Sequence, residues 1–448
     1  MKPGFSFVVL FLGIDLTAGL TAQPSLDSLI DREIHSLVAN YKLLHAAPEL
    51  SHYEEKTSNF VARELRAMGY SVTERVGRYD KPQWTGYGVV GVLRNGDGPT
   101  VLVRADMDAL PVEEKTGLPY ASRVKAKTDA GEEVSVMHAC GHDIHVSTLL
   151  GTAKILLDLK GLWRGTLVLI GQPAEEVVEG AKAMLADGLY SRFPKPDYAL
   201  ALHDASDLEA GKVGYSPGYS LASSTSMEIM VRGLGGHGSR PEATKDPIVV
   251  AAQIVLALQT IVSRENSPLD PAVVTVGSIH GGSKNNIIPD EVKLQLTVRA
   301  YKEEVRQKLL TSIGRIAKYT ALAAGVPEER APLVTITEGT TATYNDPVLT
   351  QRVAAAMEKA LGTENVIKMN PVMGSEDFTR YSLEGHTVPI CIFWLGAIDP
   401  ARVARSRQSG IPLPSLHSSL FEPLPEPTIR TGIKAMASAV LDLMKSTF

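Results

Sequence analysis

Residues 136–154 read VMHACGHDIHVSTLLGTAK. Within eight positions they place His138, His142 and His145 beside Cys140, one of only two cysteines in the chain. Cys140 and His142 stand two apart at the entrance to an apolar helical pattern, so a tight turn can bring both side chains to one point. Thiolate and imidazole together favour zinc or another borderline transition metal over calcium or magnesium. The segment GQPAEE supplies a second element, with Glu175 and Glu176 at the end of an apolar strand. If the strand geometry persists, adjacent residues point to opposite faces, so one can bind metal while its neighbour holds a water. A metal lowers the pKa of a bound water and a nearby carboxylate takes its proton, as hydrolysis requires. Each segment alone has a plainer account, a redox-silent cysteine beside capping histidines or a solvated acidic turn. Together they favour metal. His203, closing YALALH, and His417, in PSLHSSLF, are single histidines of a kind more often structural than ligating.

The elements that must position these residues follow from periodicity. SLIDREIHSLVANYKLLHAAPEL and EEKTSNFVARELRAMGY are amphipathic helices, and GVVGVLR, TVLVRADMDAL, GTLVLIGQPAEE and PDYALALHDA are strands. The helices STLLGTAKILLDL and EGAKAMLADGL fall between them. This alternation predicts an open α/β sheet covered by helices on both faces. Ligands of such sheets gather at the carboxyl ends of strands, where Asp106, Asp108, Glu175, Glu176 and His203 all fall. Near residue 222 the pattern becomes β-α-β-β-α-β, from STSMEIMVRG to APLVTITEG, the ferredoxin-like order. Helix, strand and helix then resume in DPVLTQRVAAAMEKALG, VPICIFWLG and PTIRTGIKAMASAVLDLM. The expected architecture is a larger metal-binding α/β domain in two parts, 26–221 and 341–448, interrupted by an inserted ferredoxin-like α+β domain, 222–340.

At 448 residues the chain is too long for one compact core, which agrees with two domains. Its net charge of −5 comes with no basic block of the kind that holds phosphate backbones, which argues against a nucleic-acid partner. The arginines of ARVARSRQSG, residues 401–410, read as a solvated loop. The N-terminus has Lys2, an apolar stretch from Phe5 to Leu16, and small residues ending at Ala22. That is the order of a secretory signal peptide spanning residues 1–22, with the charge of Asp15 as its one blemish. The expectation is an exported protein, periplasmic or secreted. No later stretch reads as long and apolar enough to span a bilayer. In an oxidising compartment Cys140 could pair with Cys391, but Cys391 lies in the apolar run VPICIFWLG, where a free buried cysteine is common.

The ordered set ADMDALPVEEKTGLPY, MHACGHDIH, GQPAEE, ALH, GGHGSRPEATKDP, NNIIPD, LTVRA, MGSEDF and LHSSLF resembles the dinuclear metallohydrolases of the aminoacylase and carboxypeptidase family. The match runs from about residue 28 to the C-terminus and is nearest to the amidohydrolase branch, which holds hippurate hydrolases and auxin (indoleacetic acid)–amino acid conjugate hydrolases. The resemblance implies two divalent metal ions, zinc or manganese with cobalt or nickel as alternatives, held by Cys140, His142, Glu176, His203 and His417. It implies Glu175 as general base and then acid in cleavage of an amide. Cys140 would be a thiolate ligand able to bridge the pair.

Asp106 stands where sister branches carry a ligating histidine. With Asp108 and His145 it is assigned behind the ligands, where carboxylates orient imidazoles. His237, Asn286 and Arg299 are implied to touch substrate. An arginine can grip a free carboxylate through two parallel bonds, and an imidazole and an amide can donate to an oxyanion. In the family such a histidine often reaches the site across a dimer interface or after domain closure, which implies a homodimer through the inserted domain, acting also as a lid. The expected substrate is an N-acyl amino acid or a small peptide with a free carboxylate. Two rivals stand beside it: a dipeptidase or carboxypeptidase of the same family, and a silent binding protein for amino-acid conjugates. Retention of Glu175 with all five ligands speaks against the second. The chain departs from its relatives at VVEG, where a glycine-rich run usually follows the two glutamates, and at Asp204-Ala205-Ser206 after the strand histidine. Both flank the cleft and bear on substrate choice.

Overall fold

The computed structural model describes residues 25–445, together with Met1 and Gly4. The signal-peptide reading of residues 1–22 therefore falls outside the described residues, those two positions aside. Helices α1 (Leu26–Ala46) and α2 (Glu55–Ala67) lead into strands β1 (Ser71–Val76), β2 (Gly88–Asn95) and β3 (Thr100–Asp106). A small hairpin, β4 (Lys125–Lys127) and β5 (Glu133–Ser135), precedes α3 (His142–Asp158) and β6 (Gly165–Gln172). Then come α4 (Gly180–Ala186), α5 (Leu189–Arg192), β7 (Tyr198–Glu209), β8 (Val213–Tyr215) and β9 (Gly218–Leu221). The inserted part holds β10 (Ser223–Arg232), β11 (Gly236–His237), α6 (Pro247–Thr260), β12 (Ala272–Gly281), β13 (Ile287–Ile288), β14 (Glu291–Ala300), α7 (Glu303–Ala323) and β15 (Leu333–Thr340). The chain closes with β16 (Thr343–Asn345), α8 (Pro347–Leu361), β17 (Val366–Lys368), β18 (Ile390–Ile398), α9 (Pro400–Ser409) and α10 (Pro425–Leu443).

The main sheet has eight strands in the order β1-β2-β6-β3-β7-β18-β8-β17. Its centre, β6-β3-β7-β18, is parallel, and β6 and β18 are buried at every residue. That is why they read as unbroken apolar runs: a central parallel strand has helices over both faces. One face is covered by α1, α3, α8 and α10, whose apolar residues form a single core with the strands. Helix α3 is buried almost all round, and at Gly151 the side chains of Leu37 and Ile433 press against its backbone. Any side chain there would push α1 and α10 away from α3.

The inserted sheet has the order β12-β14-β10-β15, antiparallel throughout, with α6 and α7 on one face. Burial along β14 alternates, so Val292, Leu294, Leu296 and Val298 face the helices while their neighbours face outward. This is the ferredoxin-like arrangement expected from the sequence. The two crossings between the sheets pair with each other as β9 and β16.

Three expectations are corrected, and the expectation of free, buried cysteines holds. Residues 400–409 form a helix and not a loop: Asp399 caps it, Pro400 sits at its first position, and Gly410 ends it with φ 71°. Only Val403 of this helix is buried, so no apolar stripe announced it. Strand β7 does not end at His203 but runs to Glu209, because β18 continues to pair with it. The segment Pro247–Glu265, 19 residues with a mean hydropathy of 1.6, is by length and composition able to cross a membrane. In the fold Val250, Ile254, Leu258 and Ile261 pack it on the inserted sheet. Cys140 and Cys391 are both free and buried, with no disulfide between them.

His45, in the last turn of α1, ties that helix to the start of α3. Its Nδ1 lies 2.6 Å from Asp143 and its Nε2 3.1 Å from Glu114, all buried. Burial alone would lower its pKa, but Asp143 and then Glu114 raise it to about 10. In the unfolded chain the value is about 6.5. The folded state therefore keeps a proton that the unfolded state releases. This stabilisation is complete below about pH 6.5 and declines as pH rises towards 10. The urea midpoint should fall between pH 7 and 9, and His45→Gln, less stable at pH 7, should show a flatter decline. Parallel declines would refute the pairing.

Candidate metal centre

The site forms where several chain segments end. Cys140 and His142 flank Gly141, which takes φ 84° as it caps α3. A side chain at residue 141 would collide with the Asp204 carboxylate, so glycine is required for both conformation and space. Glu175 and Glu176 follow β6 through a turn in which Ala174 has φ 50°, and Val178 repeats that strain at φ 51°. The fully buried Glu54 holds this turn by accepting from the Ala174 backbone N–H at 2.8 Å. His203 lies on β7 beyond Ala201, the last residue that β3 pairs with. His417, at φ 66°, is held by its backbone N–H, which donates to the Ala139 carbonyl at 2.8 Å.

His142 and His203 are each oriented by the far nitrogen. His142 Nδ1 is 2.8 Å from the Asp108 carbonyl, which leaves Nε2 facing inward, buried and without a hydrogen-bond partner. His203 Nδ1 is 2.9 Å from the Asp204 carbonyl, and its Nε2 is 3.5 Å from Cys140 Sγ. His417 Nε2 is 3.3 Å from Glu176 Oε2, while the buried Glu176 Oε1 has no partner. The compact donor groups include Cys140–His142–His203 and Cys140–Glu176–His417, which share Cys140, and His142–Glu175–Glu176, which places Glu175 beside them. Asp106 also groups with His142 and His145 and with His203 and Glu376. This inward-facing donor set, mixed S, N and O and with His142 Nε2 and Glu176 Oε1 unpartnered, fits a pair of transition-metal ions.

The residues assigned behind the ligands are placed as follows. Asp108 Oδ2 accepts from the Glu176 backbone N–H and from Ser51 Oγ, so it ties His142 to Glu176. Asp106 Oδ1 lies 2.5 Å from His145 Nδ1, and His145 Nε2 accepts from the Asp204 N–H at 2.9 Å. Both His145 nitrogens are therefore engaged. His138 is buried without partners, and burial lowers its pKa to about 4, which leaves it neutral. Arg299 reaches the cleft from β14, with Nη1 donating to Ser375 Oγ at 2.8 Å. His237 and Asn286 are exposed and line a separate recess between β11 and β13.

Two sets of residues escaped the sequence reading. Arg104, buried inside β3, bonds to Asp106, Glu376 and Asp377. A charged residue in the apolar strand TVLVRAD was the available signal. Asp204 was noticed only as a departure, yet its carboxylate is wholly buried and both oxygens lack partners.

The charge balance is uneven. Burial, then Glu376 and Glu176, pushes the Glu175 carboxyl well above its ordinary range. Burial, then Glu176 and Glu175, does the same to the Cys140 thiol. Burial raises Glu176 to about 8 despite His142. His142, whose pKa burial lowers but Asp106, Asp108 and Glu176 raise to about 10, offsets part of this acid, and bound cations would offset more. The cleft above it has a volume of about 560 Å³ and is lined by Cys140, Glu175, Glu176, His203, Arg299 and His417, with Trp394 and Leu221 among its apolar walls.

Fold and donor set together define a hydrolase of the metallopeptidase class. The model for peptidase family M20/M25/M40 matches residues 102–419, and the chain belongs to this family. Thermostable carboxypeptidase 1 of Saccharolobus solfataricus is 36% identical over 414 residues, 92% of this chain and 95% of that protein. Hippurate hydrolase of Campylobacter jejuni is 38% identical over 339 residues, 75% and 82% of the respective chains. A Bacillus subtilis crystal structure described as a dinuclear metal binding peptidase of the M20 family is 26% identical, with a TM-score of 0.71 over 92% of this chain and 99% of that one.

The shared position of Cys140 sets a metal-content prediction. Cys140→Ala should lose both ions, whereas His417→Ala should keep close to one per chain, as counted by elemental analysis of purified protein. Two ions retained by Cys140→Ala would remove it as a common ligand.

Proposed function

We propose that the chain hydrolyses the amide bond between an acyl group and an amino acid with a free carboxylate. The observation that carries this reading is Arg299, a half-buried guanidinium opening into the same cleft as Glu175 and the clustered donors. An arginine there grips a carboxylate through two parallel bonds and thereby sets where the amide lies. Zinc or manganese ions held by Cys140, His142 and His203 and by Cys140, Glu176 and His417 would acidify a water and polarise the carbonyl. Glu175 stands outside those two sets, so its carboxylate is available to take the proton of the attacking water and pass it to the leaving amine. Asp108 and Asp106 hold His142 and His145 in place through this. His237 and Asn286 are assigned to the oxyanion, reached from a second copy or on closure of the inserted domain.

The name of the Campylobacter relative supports an acyl amino acid as substrate. The name of the Saccharolobus relative favours a second reading, in which the acyl part is itself an amino acid or peptide. Turnover of N-benzoyl and N-acetyl amino acids against dipeptides separates the two.

Glu175→Gln should keep its metal content and lose about 100-fold or more in kcat. Arg299→Ala should lose most of its kcat/KM on free-carboxylate substrates and far less on the corresponding amides. Full activity after exhaustive chelation, or an unimpaired Glu175→Gln enzyme, would overturn the mechanism.

A further inference from the structure

The inserted domain presents to the cleft the sheet face turned away from α6 and α7. Across β14, β10 and β15, Arg299 pairs with Ser224 and Ser224 with Thr340; two residues along, Thr297 pairs with Ser226 and Ser226 with Glu338. Rows two residues apart share a face, and Arg299, Ser224, Ser226 and Glu338 all line the cleft. Glu338 reaches this face through a bulge. Met227 pairs with Ile336 but Ser226 pairs with Glu338, which leaves Thr337 as an extra residue. In an unbroken ladder Glu338 would stand opposite Thr225, on the helix-covered side. Bulges beside active sites re-aim side chains in this way.

The cleft thus has a cation and an anion on one wall, with serines between. Their strands are two apart, so the backbones of Arg299 and Glu338 are separated by roughly 10 Å. Glu338 forms no ion pair among the described residues. Burial and Glu179, from the larger part of the chain, push its carboxyl above the usual range, with Arg299 opposing. Glu179 belongs to the departure VVEG, and His52 Nε2 lies 3.1 Å from its carboxylate. An anion held this way favours a positive group in the substrate.

We propose that Glu338 is a specificity-determining residue that selects conjugates carrying a positively charged nitrogen in addition to the carboxylate read by Arg299. This rests on the amide-hydrolase reading of the cleft. The charged nitrogen has two chemical sources, a lysine-type side chain on the amino acid or a free α-amino group on the acyl part.

Two substrate pairs separate the sources: N-acetyl-lysine against N-acetyl-norleucine, and alanyl-norleucine against N-propionyl-norleucine. With metal-loaded full-length protein, the charged member of at least one pair should have the higher kcat/KM. Glu338→Gln should lower that charged-to-uncharged ratio by about fivefold, the scale of a partly exposed ion pair. Calorimetric affinities of Glu175→Gln for the same pairs, with and without Glu338→Gln, read the ratio without turnover. Ratios near one in the wild type, or ratios unmoved by Glu338→Gln in both measurements, would overturn the proposal. Charge discrimination in binding without hydrolysis of any pair would keep Glu338 and sink the hydrolase reading. The two failures are therefore distinct.

Discussion

The fold is organised around one electrostatic constraint: more acid than base is buried at one end of the parallel strands of the main sheet. Cys140, Glu175, Glu176, Asp106, Asp108 and Asp204 are gathered there, with Arg104 as the permanent buried cation. Burying unpaired carboxylates costs several kcal/mol each, so such a cluster persists by taking up protons or with compensating charge. Arg104 supplies part of it and fixes Asp106, Glu376 and Asp377 in doing so. Ions held by the clustered donors would supply more of it. Metal binding at this end of the sheet would then be linked to folding, since donors held apart in the unfolded chain are brought together in the folded one.

Preassembly depends on backbone conformations that a relaxed chain avoids. Ala174, Val178 and His417 all have positive φ without being glycine, and all three flank or supply donors. Such residues cost on the order of 1–3 kcal/mol each and survive where their surroundings over-determine them. The constraints are identifiable. Glu54 holds Ala174, the Glu175 carbonyl accepts from Val178, and Ala139 holds His417. The segment that carries Cys140 thus also positions His417, so donors far apart in the chain are fixed against each other and not merely near each other.

Much of this was legible in the sequence, for physical reasons. Strands β6 and β18 are buried on both sides and so are uniformly apolar, and β14 is buried on one side and so alternates. Helix α9 was missed because its only buried residue is Val403, leaving its capping aspartate, its proline and the closing Gly410 as the signals. The end of β7 was misplaced because Asp204 is a charged residue buried inside a strand, against the usual pattern. Among the site residues, Cys140, His142, Glu176, His203 and His417 were reached through motif order, and single-residue chemistry would have left His203 and His417 aside. Arg104 and Glu54 were hidden for the opposite reason. Their role is to hold backbone and carboxylates from behind, and spacing along the chain carries no trace of that.

The cleft lies between two sheets, and this shapes how recognition and chemistry are divided. The donors and Glu175 come from the eight-stranded sheet and its loops, while Arg299, Ser224, Ser226 and Glu338 come from the four-stranded one. The only covalent links between them are the two crossings that pair as β9 and β16, and Arg299 touches the larger part through Ser375. Under the proposed function, a substrate held by Arg299 would be aligned with Glu175 only for particular positions of the inserted sheet. Carboxylate recognition would then do more than select a ligand class. It would convert the position of one sheet over the other into the orientation of the amide, so that binding energy far from the reacting carbon is spent on placing it.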